Sequence, residues 1–366
     1  MNQADLAWQT KHLQGVSRTF ALVIPQLPQP VCEVVGNAYL LCRIADIIED
    51  EPNLSFERKR DFSERFIRVI EGRESGRRFA DDLHPMLLSA LPSERALVGD
   101  SDRAVRIACA FNEVQRTAIR RCVGTMARGM VEFQRTATLD GLDDLAHLGR
   151  YCYHVAGVVG EMLTEIFCDH SPAIAARRDR LISLSVSFGQ GLQMTNILKD
   201  LWDDRRRGAC WLPRDIFRAA GFDLRSMRAM DEAPTSLSAG VKAGIVDHPK
   251  TDPAFARGLQ KLIAIACGHL EKALRFTLLI PKSEVGIRRF CLWALGMAVL
   301  TLRKIHSRSM RFSSARDVKI SRLAVYTTVA ITSVSARSDR VLEMLFGGLT
   351  RSLDALQSAK AKPASG

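Results

Sequence analysis

Apolar residues recur three and four positions apart through almost every long segment of the chain, and no stretch alternates long enough to make a sheet. The pattern predicts an all-α protein, with helices over roughly 30–50, 55–72, 80–92, 101–136, 142–169, 173–206, 254–279, 284–308 and 317–355. Breaks are expected at 25–30, around Pro92, at 208–213 and at 233–253, where Pro, Ser, Gly and Asp cluster. No internal repeat is visible, and the apolar helices after residue 253 need partners that the earlier helices supply. The expected organisation is therefore an N-terminal segment 1–14, one domain over 15–356 and a disordered tail over 357–366.

Composition narrows the class. Of 366 residues, 47% are hydrophobic and 25% charged, as in an ordinary globular protein. The 52 Lys and Arg exceed the 40 Asp and Glu by a formal +12, which points to an anionic partner such as a phosphorylated substrate or an anionic membrane surface. Nucleic acid is not expected, because the basic residues are not interleaved with aromatics in a recognisable module. Nine cysteines without a CxxC pair indicate neither a disulfide framework nor a zinc site and fit a reducing cytoplasm. The polar first twenty residues lack the apolar core of a signal peptide, and the longest apolar run, 291–302, is too short to span a bilayer; any membrane contact is expected to be peripheral, from one side.

Two segments carry chemistry. In 39–50 (YLLCRIADIIED), Tyr39, Arg43, Asp46 and Asp50 step by four, three and four residues and so share one helical face, with Glu49 beside it. Stacked carboxylates repel unless a cation sits between them, and magnesium suits, because it takes one or two carboxylates and completes its shell with water and phosphate. Taken alone, the stripe also fits a solvated acidic helix end. About 150 residues later the logic repeats: Gln193, Asn196, Asp200, Asp203 and Asp204 share a second helical face. If the two helices face each other, their carboxylates converge on a cage for metal ions that hold a diphosphate leaving group. Loss of diphosphate from an allylic carbon leaves a carbocation, so the remaining cavity should be apolar and aromatic. Arg205, Arg206 and Arg207 follow directly; they fit either phosphate binding or a solvated basic helix C-terminus.

These residues give the chain a resemblance to the squalene and phytoene synthase family of head-to-head prenyl transferases. The matching pieces are Ser17-Arg18-Thr19-Phe20, Arg43 with Asp46-Ile-Ile-Glu-Asp50, Met126-Ala-Arg-Gly-Met130, the run 151–160 (YCYHVAGVVG), and Gln193 through Asn196, Asp200 and Asp204 to Leu212-Pro213. They extend over about 15–325. The resemblance implies an isoprenoid synthase-type helical bundle with a central cavity, which condenses two allylic prenyl diphosphates through a cyclopropyl intermediate with magnesium (Mg2+). By the same resemblance Asp46, Asp50, Asp200 and Asp204 hold metal, with Glu49, Asn196 and Asp203 assisting. Arg18, Arg43, Arg206 and Arg207 contact diphosphate, Gln193 and Asn196 belong to the substrate-binding set, and Tyr151 stands near the reacting carbons, with Phe20 and Phe290 lining the same cavity.

Within the family, 318–322 (VKISR) is similar to the stretch that squalene synthases place near NADPH, and 303–322 holds seven Lys or Arg against one Asp. Lys319 and Arg322 are therefore the expected NADPH contacts. The reading is a squalene synthase that joins two farnesyl diphosphates to presqualene diphosphate and reduces it with NADPH. Phytoene or dehydrosqualene synthesis, which ends without the hydride, is the enzymatic alternative, and a non-catalytic scaffold of the same fold is disfavoured because both acidic stripes are intact. A basic face docking on anionic lipid would use the same arginines.

Overall fold

The computed structural model describes residues 2–17, 19–227, 251–312, 318 and 320–353. Fourteen helices of eight or more residues carry the described chain: α1 (Gln3–Val16), α2 (Gln29–Asp50), α3 (Phe56–Ile70), α4 (Gly76–Leu83), α5 (Pro92–Gly99), α6 (Ser101–Cys109), α7 (Glu113–Thr136), α8 (Leu145–Cys152), α9 (Val158–His170), α10 (Arg178–Arg206), α11 (Pro253–Leu279), α12 (Val285–Ser307), α13 (Arg322–Ser335) and α14 (Asp339–Thr350). Among the described residues there is no strand, only an isolated bridge between Leu142 and Pro213. The all-α reading holds.

Local chemistry explains most helix starts. The side chains of Asn2, Ser55, Ser75, Asn112, Asp144, Asp252 and Ser321 accept hydrogen bonds from backbone N–H groups in the turns that follow them. Pro92 and Pro253 occupy first-turn positions, where a missing N–H costs nothing. Two expected helices are divided for the same reasons, and a third breaks without a side-chain cap or a proline. Asn112 caps a new helix inside 101–136, Pro92 starts α5 instead of ending a helix over 80–92, and the 317–355 helix breaks at 336–338. Sequence periodicity missed α1, which buries only Trp8 and Leu13 of its apolar residues; both join the common core, so the boundary expected at residue 14 runs through a helix. The expected tail over 357–366 lies outside the described residues.

α10 is the central strut, packed along α9, α11 and α12, while α2 and α3 lie on α7. Two glycines permit the closest approaches. A Cβ on Gly189 would stand 2.0 Å from the Ala156 carbonyl oxygen, and one on Gly160 2.1 Å from that of Ser185. Between α8 and α9 the helix widens into a π turn over Tyr153–Gly157, a feature common at functional sites. One helix among the described residues, α12, is long and apolar enough to cross a membrane, but most of its apolar stretch is buried in the bundle.

Candidate active site

A cavity of about 1160 Å³ opens between α2, α7, α8, α10, α12 and α13. This volume exceeds the usual range for small-ligand sites, roughly 300–1,000 Å³. The half-buried or exposed polar part of its lining, the mouth, is Asp46, Glu49 and Asp50 from α2 and Asn196, Asp200 and Asp204 from α10. The apolar and aromatic part, the depth, includes the buried Met130, Tyr151 and Trp211, with Phe20, Leu192 and Met297 half-buried beside them. The two helices do bring their acidic faces to one opening, and Arg207 beyond the end of α10 reaches Asp50 at the end of α2 (Nη1 to Oδ1, 3.3 Å).

The α2 row is tightly braced. Arg43 donates to Glu94 Oε1 at 2.5 Å and lies 3.5 Å from Asp46 and 3.8 Å from Asp50. Burial opposes its charge, but the three carboxylates outweigh that and raise its pKa. Gln134 Nε2 donates to Glu49 Oε1 at 2.5 Å and to the Glu49 carbonyl at 3.1 Å, while Lys59 Nζ bonds both that carbonyl and Gln134 Oε1. Loss of hydration, reinforced by neighbouring carboxylates, pushes Asp46 up to about 7 and Glu49 to about 8. On α10 the same causes raise Asp204 to about 7 and shift Asp200 upward, against the pull of Lys199 at 3.1 Å.

The donors on both rows are hard oxygens, and Asp46, Glu49, Asp200 and Asp204 are raised by loss of hydration and by carboxylates lying close together. Both facts fit magnesium. The cage expected from the sequence is not closed, however: among the described residues no three carboxylate, histidine or cysteine groups converge on one point. Two facing rows are present, whose separate ions would need water or phosphate oxygens to complete their shells.

Tyr151 lies in the wall with its ring stacked on Trp211 (4.2 Å between centroids, 9° between planes) and edge-on to Phe133. Burial, then the Glu49 and Asp204 carboxylates, hold its phenol well above its usual pKa. Trp211 is a site residue that helical spacing missed. Gly208, at φ 88°, ends α10 in the left-handed conformation, and backbone bonds from Cys210 N to the Thr138 carbonyl and from Leu142 N to the Leu212 carbonyl carry the chain back to place the indole. Glu94, Lys59 and Gln134 were missed as well, since each meets the α2 row only through tertiary packing.

Of the other residues singled out from the sequence, Phe20, Gln193, Asn196, Arg43, Arg207 and Arg322 line the cavity, Phe20 paired with Tyr39 at 4.9 Å. Arg322 is exposed at the rim. Arg18 and Lys319 lie outside the described residues. Three expectations are corrected. Phe290 is 4% exposed and packs edge-on against Phe167, because the wall formed by α12 begins one turn later, at Ala294. Asp203 and Arg206 do not line the cavity; they pair with each other one turn apart on α10.

The sequence model of the squalene/phytoene synthase family matches residues 13–324. A squalene synthase of Gibberella zeae is 29% identical over 216 residues, 57% of this chain and 43% of that protein. Botryococcus squalene synthase from Botryococcus braunii is 27% identical over 298 residues, 79% of this chain and 56% of that protein. The chain thus spans about half the length of these curated relatives. A solved ligand complex of TcSQS superposes with a TM-score of 0.74 at 22% identity, covering 100% of this chain and 94% of that one. A dehydrosqualene synthase in complex with ligand gives 0.60 at 19% identity, covering 92% and 98%. Both acidic rows and the Tyr151 wall fall inside the matched region, and the chain belongs to the squalene/phytoene synthase family.

Proposed function

We propose that the protein is a magnesium-dependent head-to-head prenyltransferase that condenses two farnesyl diphosphates to presqualene diphosphate and, with NADPH, forms squalene. The observation that carries this reading is the division of one large cavity into a mouth lined by two facing acidic rows and an apolar, aromatic depth. Substrate diphosphates belong at the mouth and prenyl chains below it. Asp46, Asp50, Asp200 and Asp204 would hold magnesium, which supplies charge neutralisation to the departing diphosphate. Arg43 and Arg207, now engaged by carboxylates, would turn their guanidinium groups to phosphate oxygens.

Deeper in the cavity the chain's own groups protect the cation. The stacked Tyr151 and Trp211 rings line the cavity, where aromatic π systems stabilise positive charge, and the apolar wall excludes water that would quench it. Because burial keeps Tyr151 protonated, its hydroxyl serves as a fixed dipole and hydrogen-bond donor, not as a phenoxide base. The reductive half of the proposal rests on the curated squalene synthase relatives. NADPH supplies the hydride, and Arg322 at the rim is the described residue that would hold one of its phosphates.

The test is product analysis after incubation with farnesyl or geranylgeranyl diphosphate, with and without magnesium, EDTA and NADPH. Squalene from farnesyl diphosphate, formed only with magnesium and NADPH together, is the expected result. Dehydrosqualene or phytoene formed without NADPH would replace the reductive half by the synthase chemistry that the family also includes. Absence of any condensation product, or turnover that persists in EDTA, would overturn the proposal.

A further inference from the structure

α13 is inside out. Its residues facing the bundle are Ala324, Val325, Thr328, Val329, Thr332 and Ser333, half of them hydroxyl-bearing, and none is fully buried. Thr328 and Thr332 donate to carbonyls one turn back, Ser333 accepts from Trp293 Nε1 at 3.2 Å, and Gly296 on α12 is the point of closest approach, where a Cβ would stand 2.5 Å from Thr328. The opposite face carries Leu323, Tyr326, Ala330 and Val334, at steps of three and four residues, with Thr327 and Ile331 one turn apart beside them, all exposed to solvent. Leu323 is 76% exposed, Tyr326 65% and Val334 88%. On α14, which packs against α13, Val341 and Met344 are also exposed, the latter 75%.

Contiguous exposed apolar surface of this kind marks an interaction site, and its surroundings select the partner. No charged residue occurs between Arg322, which lines the cavity, and Arg337; Arg337 follows the helix, Arg340 and Arg351 lie on and after α14, and all three are exposed. Of the two carboxylates described in 322–353, Asp339 is taken by Arg288 and Lys282, which leaves Glu343. An apolar stripe with basic flanks matches the acyl boundary and headgroups of an anionic bilayer. A second copy of the chain fits less well. The 14 and 12 residues of α13 and α14 make about 39 Å of helix roughly 10 Å wide, so two copies would cover roughly 800 Å² where stable interfaces need about 1,200 Å², and the flanking arginines of the copies would repel.

We infer that the outer face of α13, together with Val341 and Met344 of α14, is the surface on which the protein lies against an anionic lipid bilayer. The cavity reaches the same helix from within, through Arg322 and Val325, so the docked bilayer would stand beside the mouth. The inference is independent of the reaction proposed above, because binding is read without substrate.

Cosedimentation of the full chain with phosphatidylcholine vesicles, with and without phosphatidylglycerol, tests it. Wild type should bind mixed vesicles and bind phosphatidylcholine alone roughly tenfold less. The double variant Tyr326→Asp, Val334→Asp should bind mixed vesicles at least about tenfold more weakly while keeping its helicity and melting temperature, since neither side chain is buried. Leu323→Gln with Met344→Gln, a milder change on the same surface, should weaken binding in the same direction. Wild type that stays in the supernatant, or variants that both bind as well as wild type, would overturn the inference. So would a wild-type dimer in sedimentation velocity that the Asp variant dissociates without loss of vesicle binding, since the face would then join two copies.

Discussion

The two acidic rows carry the same kind of charge at nearly the same spacing, yet they are held by different means. On α2, the supports come from elsewhere in the fold: Glu94 fixes Arg43, while Gln134 and Lys59 fix Glu49. On α10, the partners are neighbours in sequence: Lys199 contacts Asp200 and Asn196, and Arg206 contacts Asp203, with Lys199, Asp200 and Asp203 about 40% exposed and Arg206 68%. Half-exposed pairs on one helix contribute little rigidity, roughly 0–1 kcal/mol each. The α2 row is therefore pre-positioned, and the α10 row is free to adjust to whatever the mouth holds. Arg207, which reaches across to Asp50, is the described ion pair that joins them.

If both rows hold metal in the proposed reaction, this asymmetry should not matter for removal of a ligand. Asp46→Asn and Asp200→Asn should each lower turnover by at least about a thousandfold, roughly 4 kcal/mol of lost charge stabilisation, with helicity unchanged. Steady-state kinetics checks this, and a much smaller loss in one variant would show that only one row is used. The asymmetry should appear one step out. Gln134→Leu removes a brace and should cost about 10–100-fold in turnover and in magnesium dependence, as loss of a group that orients a ligand commonly does. A magnesium titration of the variant against wild type gives the value.

The pH dependence sharpens the comparison further. Asp46, Glu49 and Asp204 titrate near 7, 8 and 7 in the folded chain, above their unfolded values near 4. Between those limits the folded state holds protons that the unfolded state has released, so without metal these groups weaken the fold as pH rises from about 5 to 8. The ion-free melting temperature should fall by at least about 2 °C over that interval, and magnesium should restore more of it at pH 8 than at pH 5.5, where protons compete for the ligands. Differential scanning fluorimetry at the two pH values checks the sign. The smallest effect is expected at Asp203→Asn, within about twofold of wild-type turnover, because its partner is Arg206 and it does not line the cavity. A larger loss would return Asp203 to the metal set.

The helical class and both polar stripes were legible because they depend on local periodicity. Tyr39, Arg43, Asp46 and Asp50 must share a face once 29–50 is helical, whatever the rest of the chain does. The boundaries that failed at 80–92 and near residue 112 were decided by a proline and a cap that spacing alone does not weigh, and the break at 336–338 has neither a side-chain cap nor a proline. Phe290 shows the limit within one helix. It lies on the same helical face as Ala294, but the cavity ends between them, and only the packing of Phe167 from another helix sets that depth.

By itself, then, the sequence determined an all-α chain with two acidic faces and a motif order that resembles one family, since these follow from contacts within a few residues. Tertiary structure alone decided that Trp211 stacks on Tyr151, that Glu94, Gln134 and Lys59 brace one row while the other is left to its own helix, and that α13 turns its hydroxyls inward and its Leu, Tyr and Val outward. Each of these depends on residues far apart in the chain, or on which neighbour covers a helix face, and helical periodicity gives the angle between side chains but not the direction of the core.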